Sequence, residues 1–152
     1  MSVRVEIFNE LSSRLDDMNF FQIIDIYKGQ FSDEDANGIS HFPAAYVSIS
    51  RIDYEEMTVD FIEGRAVIDV YVFFRQFDNT DILDKNKPSS IDILNIMDEI
   101  VDELHGATGN FFSELSQTAE EDLSFIYGKP AFKVSFSTEI RKRVELDNYI
   151  LN

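Results

Sequence analysis

The feature that most constrains the fold is an alternating segment between residues 65 and 77. One face is unbroken and apolar, and it consists of Ala66, Ile68, Val70, Val72 and Phe74. The opposite face is mixed, and it consists of Val67, Asp69, Tyr71 and Phe73. A period of two is typical of a β-strand, because successive side chains point to opposite sides of a sheet. We therefore predict a central strand with one side under helices.

Amphipathic helices are predicted before and after the strand region. Residues 2–17 form the first helix, and Ser2 is its predicted N-cap. Its apolar stripe consists of Val3, Ile7, Phe8, Leu11 and Leu15. The second opens at Ser89-Ser90, where Asp92 can close a capping box, and it ends at Gly106. Its apolar face consists of Ile93, Met97, Ile100, Val101 and Leu104. Each helix can therefore bury one stripe against the sheet.

Further strands complete the predicted sheet. Strands are predicted at residues 20–28, from residue 44 onward, and at 131–139, while residues 52–62 alternate weakly and Glu63-Gly64 marks a turn. Residues 110–121 stay unassigned. Strands grouped between helices favour an α+β fold with a single mixed or antiparallel sheet of four to five strands and both helices on one face. Residues 1–152 are predicted to form one domain, whose other sheet face meets solvent or another subunit.

Composition narrows the classes of partner. The chain has 29 acidic and 13 basic residues, a formal net charge of -16, which repels nucleic-acid phosphates and anionic lipid headgroups. The chain contains no cysteine, which excludes disulfides, thiolate metal sites and a cysteine nucleophile. We expect a soluble chain synthesised in the bacterial cytoplasm, with no segment that spans a membrane, since no apolar run approaches about 20 residues.

The loop after the first strand contains half of a calcium-binding motif. Asp33, Asp35, Asn37 and Gly38 match the first positions of an EF-hand loop, but the twelfth position, normally a bidentate Glu, is Ala44. A polar loop with an Asn-Gly turn explains the same residues. An acidic module that binds calcium or a small ligand therefore stays as the alternative function.

Motifs for catalysis or for a cofactor are missing from the sequence. The two histidines, His41 and His105, stand beside no G-x-S-x-G elbow, and no phosphate-binding glycine loop occurs. A hydrolase would have to use a carboxylate such as Asp69 in a pocket, whereas an exposed or interface residue paired across the strand is the simpler interpretation of Asp69. We therefore predict a protein without enzymatic activity and without a cofactor.

Contact residues are predicted at two places. Arg141, Lys142 and Arg143 form a basic cluster in an acidic chain, so they are suited to meet acidic helices of a neighbouring subunit. Asp69, Tyr71 and Phe73 lie on the mixed face of the central strand and supply the second set of contacts.

The order of elements resembles that of small tail-terminator proteins of long-tailed phages and prophages. The likeness runs from a first helix ending near Leu15 through F-F-Q-I-I-D-I-Y, P-A-A-Y-V and V-I-D-V-Y-V-F-F. It continues with I-D-I-L-N-I-M-D-E-I-V-D-E-L-H-G, L-S-Q-T-A-E-E-D and F-K-V-S-F-S-T. It thus covers nearly the whole chain.

This resemblance implies a structural role in the virion. Such proteins form a six-fold ring on the last ring of the tail tube, end tube polymerisation and contribute to head–tail joining. The expected partners are other copies of the chain, tail-tube proteins and head-connector proteins, and the expected location is the virion tail. No cofactor follows from the resemblance.

Overall fold

One mixed sheet of five strands organises the molecule. The computed structural model describes residues 2–29, 41–75 and 90–143. In chain order the elements are α1 (Val3–Asp17), β1 (Ile23–Ile26), β2 (Ala44–Thr58), β3 (Phe61–Phe73), α2 (Ser90–Leu104), β4 (Ser116–Asp122), α3 (Ser124–Tyr127) and β5 (Ala131–Arg143). The sheet order is β1-β2-β3-β5-β4, with β1 parallel to β2 and all other pairs antiparallel. The predicted α+β fold is confirmed.

Both long helices lie on the same face of the sheet and bury the stripes that the sequence predicts. Ser2 caps α1, since its hydroxyl accepts a hydrogen bond from the Val5 amide at 3.4 Å. The core between helices and sheet includes Ile7, Leu11, Leu15, Ile93, Met97, Ile100 and Leu104. Arg14 links the two helices, because its guanidinium on α1 donates a 3.1 Å hydrogen bond to the Glu103 carbonyl near the end of α2. Among the described residues, no helix is both long and apolar enough to cross a bilayer.

The central strand is β3, and its apolar face is buried as predicted. The predicted face consists of Ala66, Ile68, Val70 and Val72 within β3 and Phe74 directly after it, and all five residues are at most 2% exposed. The predicted turn at Glu63-Gly64 is wrong, because β3 runs through both residues and the chain reverses at Val59 and Asp60. Gly64 is needed for close packing instead, since a Cβ there would lie 2.5 Å from the Asp53 carbonyl oxygen.

Two register shifts in β2 explain its weak alternation. The pairing with β3 shifts between Ile49 and Arg51 and again between Tyr54 and Met57. A bulge adds one residue to a strand and so reverses which face the following residues occupy. As a result Ile52, like Ile49, packs on the helix side of the sheet. The weak pattern in residues 52–62 reflects these shifts.

The last third of the chain extends the sheet further than predicted. The unassigned region 110–121 contains most of β4, whose residues are almost all exposed, and β5 continues past residue 139 to Arg143. The first strand is shorter than the predicted 20–28. The short helix α3 joins β4 to β5, and it ends at Gly128 with φ 66.

Candidate interaction surfaces

The sheet face opposite the helices carries a second, smaller apolar cluster. It is built on the mixed side of β3 and contains Ala44, Tyr46, Phe73, Leu123 and Ala131 as buried members. Tyr27, Phe42, Tyr71 and Tyr127 pack against them. Two of the predicted contact residues, Tyr71 and Phe73, thus belong to one cluster near the start of β2 and β5.

Phe73 and Tyr71 take different positions in this cluster. Phe73 is 0% exposed, and its ring meets Tyr46 and Tyr127 edge-on at 6.1 and 5.3 Å between centroids. Tyr71 is half-buried, and its ring stacks on Tyr27 at 4.6 Å. Such ring pairs add to the stability from burial alone. Phe73 therefore stabilises the cluster as a buried ring and is not accessible to a partner, whereas Tyr71 remains partly accessible.

Asp69 is an acidic residue on the same face of the sheet, and the structure pairs it with a residue of the neighbouring strand. It lies opposite Ser135 on β5, and the Ser135 hydroxyl donates a 2.6 Å hydrogen bond to its carboxylate. Asp69 is 8% exposed, so this charge-assisted bond forms largely out of water. The predicted pairing across strands is present, but Asp69 is buried in this chain and not exposed, and the Ser135 hydroxyl compensates for the burial of its carboxylate.

The environment of the cluster shifts the acidity of its phenols. Burial raises the pKa of Tyr71, and the nearby negative charge of Asp69 raises it further. Burial likewise raises the pKa of Tyr46, with a smaller contribution from Asp25. In both cases the neutral phenol is the form that the folded chain favours.

These shifts predict a loss of stability in alkali. Unfolded tyrosines lose their protons near the reference pKa of 10.0, while the folded chain holds them to a higher pH. Stability is therefore complete below that value and falls as the pH rises through the folded pKa. We expect urea midpoints to fall as the pH rises above about 9 to 10, and to fall less in Tyr71→Phe. Tyr54→Phe, at an exposed site, is the control, and equal slopes in both variants would contradict the prediction.

Strand alternation divides the predicted basic cluster between the two faces of the sheet. Arg141 lies on the open face, where it pairs with Glu63 at 3.3 Å and covers the Phe61 ring. Arg143, two residues on, shares that face and is exposed. Lys142 points to the helix side, with its ammonium 5.9 Å from the centre of the Phe111 ring. The three charges do not act as a single patch.

Lys142 instead lines a groove on the helix side, at the end of the sheet where β2 turns into β3. The groove has a volume of about 240 Å³, and its lining residues are Ser2, Val3, Arg4, Ile52, Tyr54, Ile62, Ile140 and Lys142. Three of these residues are isoleucines, which make part of the lining apolar, and Arg4 and Lys142 add positive charge to it. We call these residues the hairpin-end groove. The sequence does not predict this groove, because its lining comes from the start of α1, the β2–β3 hairpin and the end of β5, and because it depends on the bulges of β2.

The predicted calcium-binding residues belong to the segment 33–37. Asp33, Asp35 and Asn37 lie outside the described residues. Within residues 2–29, 41–75 and 90–143, no three His, Cys, Asp or Glu side chains come together in a way that could hold a metal ion. His105 is engaged near the end of α2, where its Nδ1 accepts a hydrogen bond from the Gln117 amide at 3.3 Å.

Comparison with known proteins identifies a shared fold. No protein-family model matches the chain, and no curated protein matches it. Among solved structures, a chain described as "Virion of native gene transfer agent (GTA) particle" is similar to it, with a TM-score of 0.51 and 9% sequence identity. The match covers 94% of this chain and 98% of that chain. At this identity the likeness establishes that the two chains share the α+β architecture over nearly their whole lengths.

Proposed function

We propose that the protein is a structural subunit of a phage-like virion that caps the tail tube, ends its polymerisation and contributes to head–tail joining. The observation that carries the proposal is the fold match to a chain of a gene transfer agent virion, which spans 94% of this chain and 98% of the other. The order of elements that resembles tail terminators supports the finer assignment to the tail.

The surfaces of the chain are suited to this role. A capping subunit must contact copies of itself and the tube, so it needs more than one binding surface. The hairpin-end groove and the aromatic cluster around Tyr71 lie on opposite faces of the same sheet. We propose that copies assemble head to tail into a ring, six-fold as in the family that the sequence resembles, and that the protein acts in the virion without catalysis or a cofactor.

Deleting the gene from the phage or prophage that carries it tests this function directly. If the chain caps the tube, negative-stain images of the lysate will show tubes of abnormal length without heads. Supplying the wild-type chain in trans provides the control and should restore tails of uniform length. Normal particles after deletion would overturn the proposal, and filled heads with no tails at all would assign the chain to an earlier step than capping.

A further inference from the structure

The hairpin-end groove has the chemistry of a site for an amphipathic helix. Its lining includes Ile52 and Ile62, which are half-buried and so offer apolar surface to a partner, and Ile140, which is buried beside them. Arg4 and Lys142 add two cations to its lining. A helix that fits here must present apolar side chains next to acidic ones.

The outer face of α2 has this composition. Ile91 and Leu94 are 69% and 59% exposed although they are large and apolar. Asp98 and Asp102 continue the same line toward the end of the helix, since steps of three and four residues keep side chains on one face. We call these four residues the α2 outer stripe.

The charges of α2 are only partly compensated within a single copy, where the Arg14 guanidinium of α1 donates a hydrogen bond to the Glu103 carbonyl. Its sequence, SIDILNIMDEIVDEL, contains no Lys or Arg, and its last turns contain Asp98, Glu99, Asp102 and Glu103. Carboxylates near the C-terminus of a helix oppose its dipole, where cations would be stabilising. Cations from outside the helix would relieve this repulsion.

We infer that the α2 outer stripe of one copy docks into the hairpin-end groove of the next copy. Ile91 and Leu94 cover the isoleucines of the groove, while Asp98 and Asp102 meet Arg4 and Lys142. This inference rests on the proposed role as a ring-forming subunit and names the contact that builds the ring.

Two physical arguments favour a second copy as the occupant. Copies with a net charge of -16 repel each other, so a stable contact has to bring opposite charges together locally. The groove and the stripe are also different surfaces of the same chain, which makes the contact head to tail. Repetition of such a contact closes into a ring when the rotation permits.

Cysteine cross-linking of the purified chain tests the contact. Because the natural chain contains no cysteine, a single introduced cysteine is the only reactive thiol. Tyr54→Cys marks the groove and Leu94→Cys marks the stripe, and a short bis-maleimide should join the two variants into a covalent dimer when they are mixed. Each variant alone should yield at least about tenfold less dimer, because a head-to-tail contact never places two identical residues together.

The matched control replaces the stripe cysteine with Thr118→Cys, an exposed residue on β4. A mixed yield no greater than this control would overturn the inference. A chain that carries both cysteines should give a ladder of products up to the closed ring, whereas a ladder that stops at the dimer would contradict the head-to-tail arrangement.

Charge exchange then tests the pairing itself. Adding Arg4→Glu and Lys142→Glu to the Tyr54→Cys chain should lower the cross-linked yield about tenfold. Adding Asp98→Lys and Asp102→Lys to the Leu94→Cys chain should restore it. These lysines also favour the helix dipole, so a loss caused by unfolding of α2 is not expected. Asp16→Lys with Asp17→Lys, on the exposed end of α1, is the control that should not restore the yield.

The outcomes separate this contact from the proposed function. Cross-linking together with normal tails after gene deletion would leave the contact standing and remove the capping role. Tubes of abnormal length together with control-level cross-linking would keep the role and overturn the contact.

Discussion

Replacing Phe136 with alanine is expected to lower the free energy of unfolding by about 3–5 kcal/mol. Phe136 is 0% exposed, it lies opposite Ile68 of the central strand, and its ring belongs to the core beneath the helices. Truncation removes the apolar contacts of the ring and leaves a cavity in the core, because the surrounding structure relaxes only in part. Because β5 lies between β3 and β4, the loss affects the middle of the sheet.

Equilibrium unfolding in urea, followed by far-ultraviolet circular dichroism, measures this effect. The chain offers a matched control in Phe125 on α3, which is 99% exposed. Phe125→Ala changes the same atoms at a solvated site, so its free energy of unfolding should stay within about 0.5 kcal/mol of the natural chain. Equal losses in the two variants would contradict the assignment of the core to the helix side of the sheet.

Gly64→Ala is expected to lower the free energy of unfolding by about 1–3 kcal/mol, although it adds a single methyl group. The added Cβ would lie 2.5 Å from the Asp53 carbonyl oxygen and 3.1 Å from the Tyr54 Cα. Both are backbone atoms, so the clash cannot be relieved by a side-chain rotation and the strands β2 and β3 have to separate locally.

The neighbouring Arg65→Ala provides the comparison for this variant. Arg65 is exposed and its ion pair with Glu139 is also exposed, so removing it should change the free energy of unfolding by less than about 1 kcal/mol. If Gly64→Ala unfolds at the same urea concentration as the natural chain, the close approach of the two strands at this point is not required.

The sequence predicts those elements whose pattern is complete within one segment. The stripe of Ile7, Leu11 and Leu15 and the alternating face from Ala66 to Phe74 each define a buried surface without reference to the rest of the chain. Gly64 shows where this approach fails. Glycine after a charged residue is typical of a turn, but it also occurs inside a strand where another backbone comes close, and that approach is a tertiary property.

The positions of the predicted contact residues also depend on tertiary structure. Arg141, Lys142 and Arg143 are adjacent in sequence, and their division between two faces follows only once β5 is known to continue to Arg143. The hairpin-end groove depends on a register shift near Ser50 that carries Ile52 to the helix side. No local pattern in β2 marks that shift, so the groove could not be derived from the sequence.

The register shifts of β2 also affect how the protein behaves at high concentration. Beyond Val47, no described strand pairs with the outer edge of β2. Bulges twist such an edge, and Arg51 and Asp53 place charges along it, so a second sheet cannot align with it over a long distance. We expect the subunit to accumulate before assembly without converting into amyloid-like fibrils.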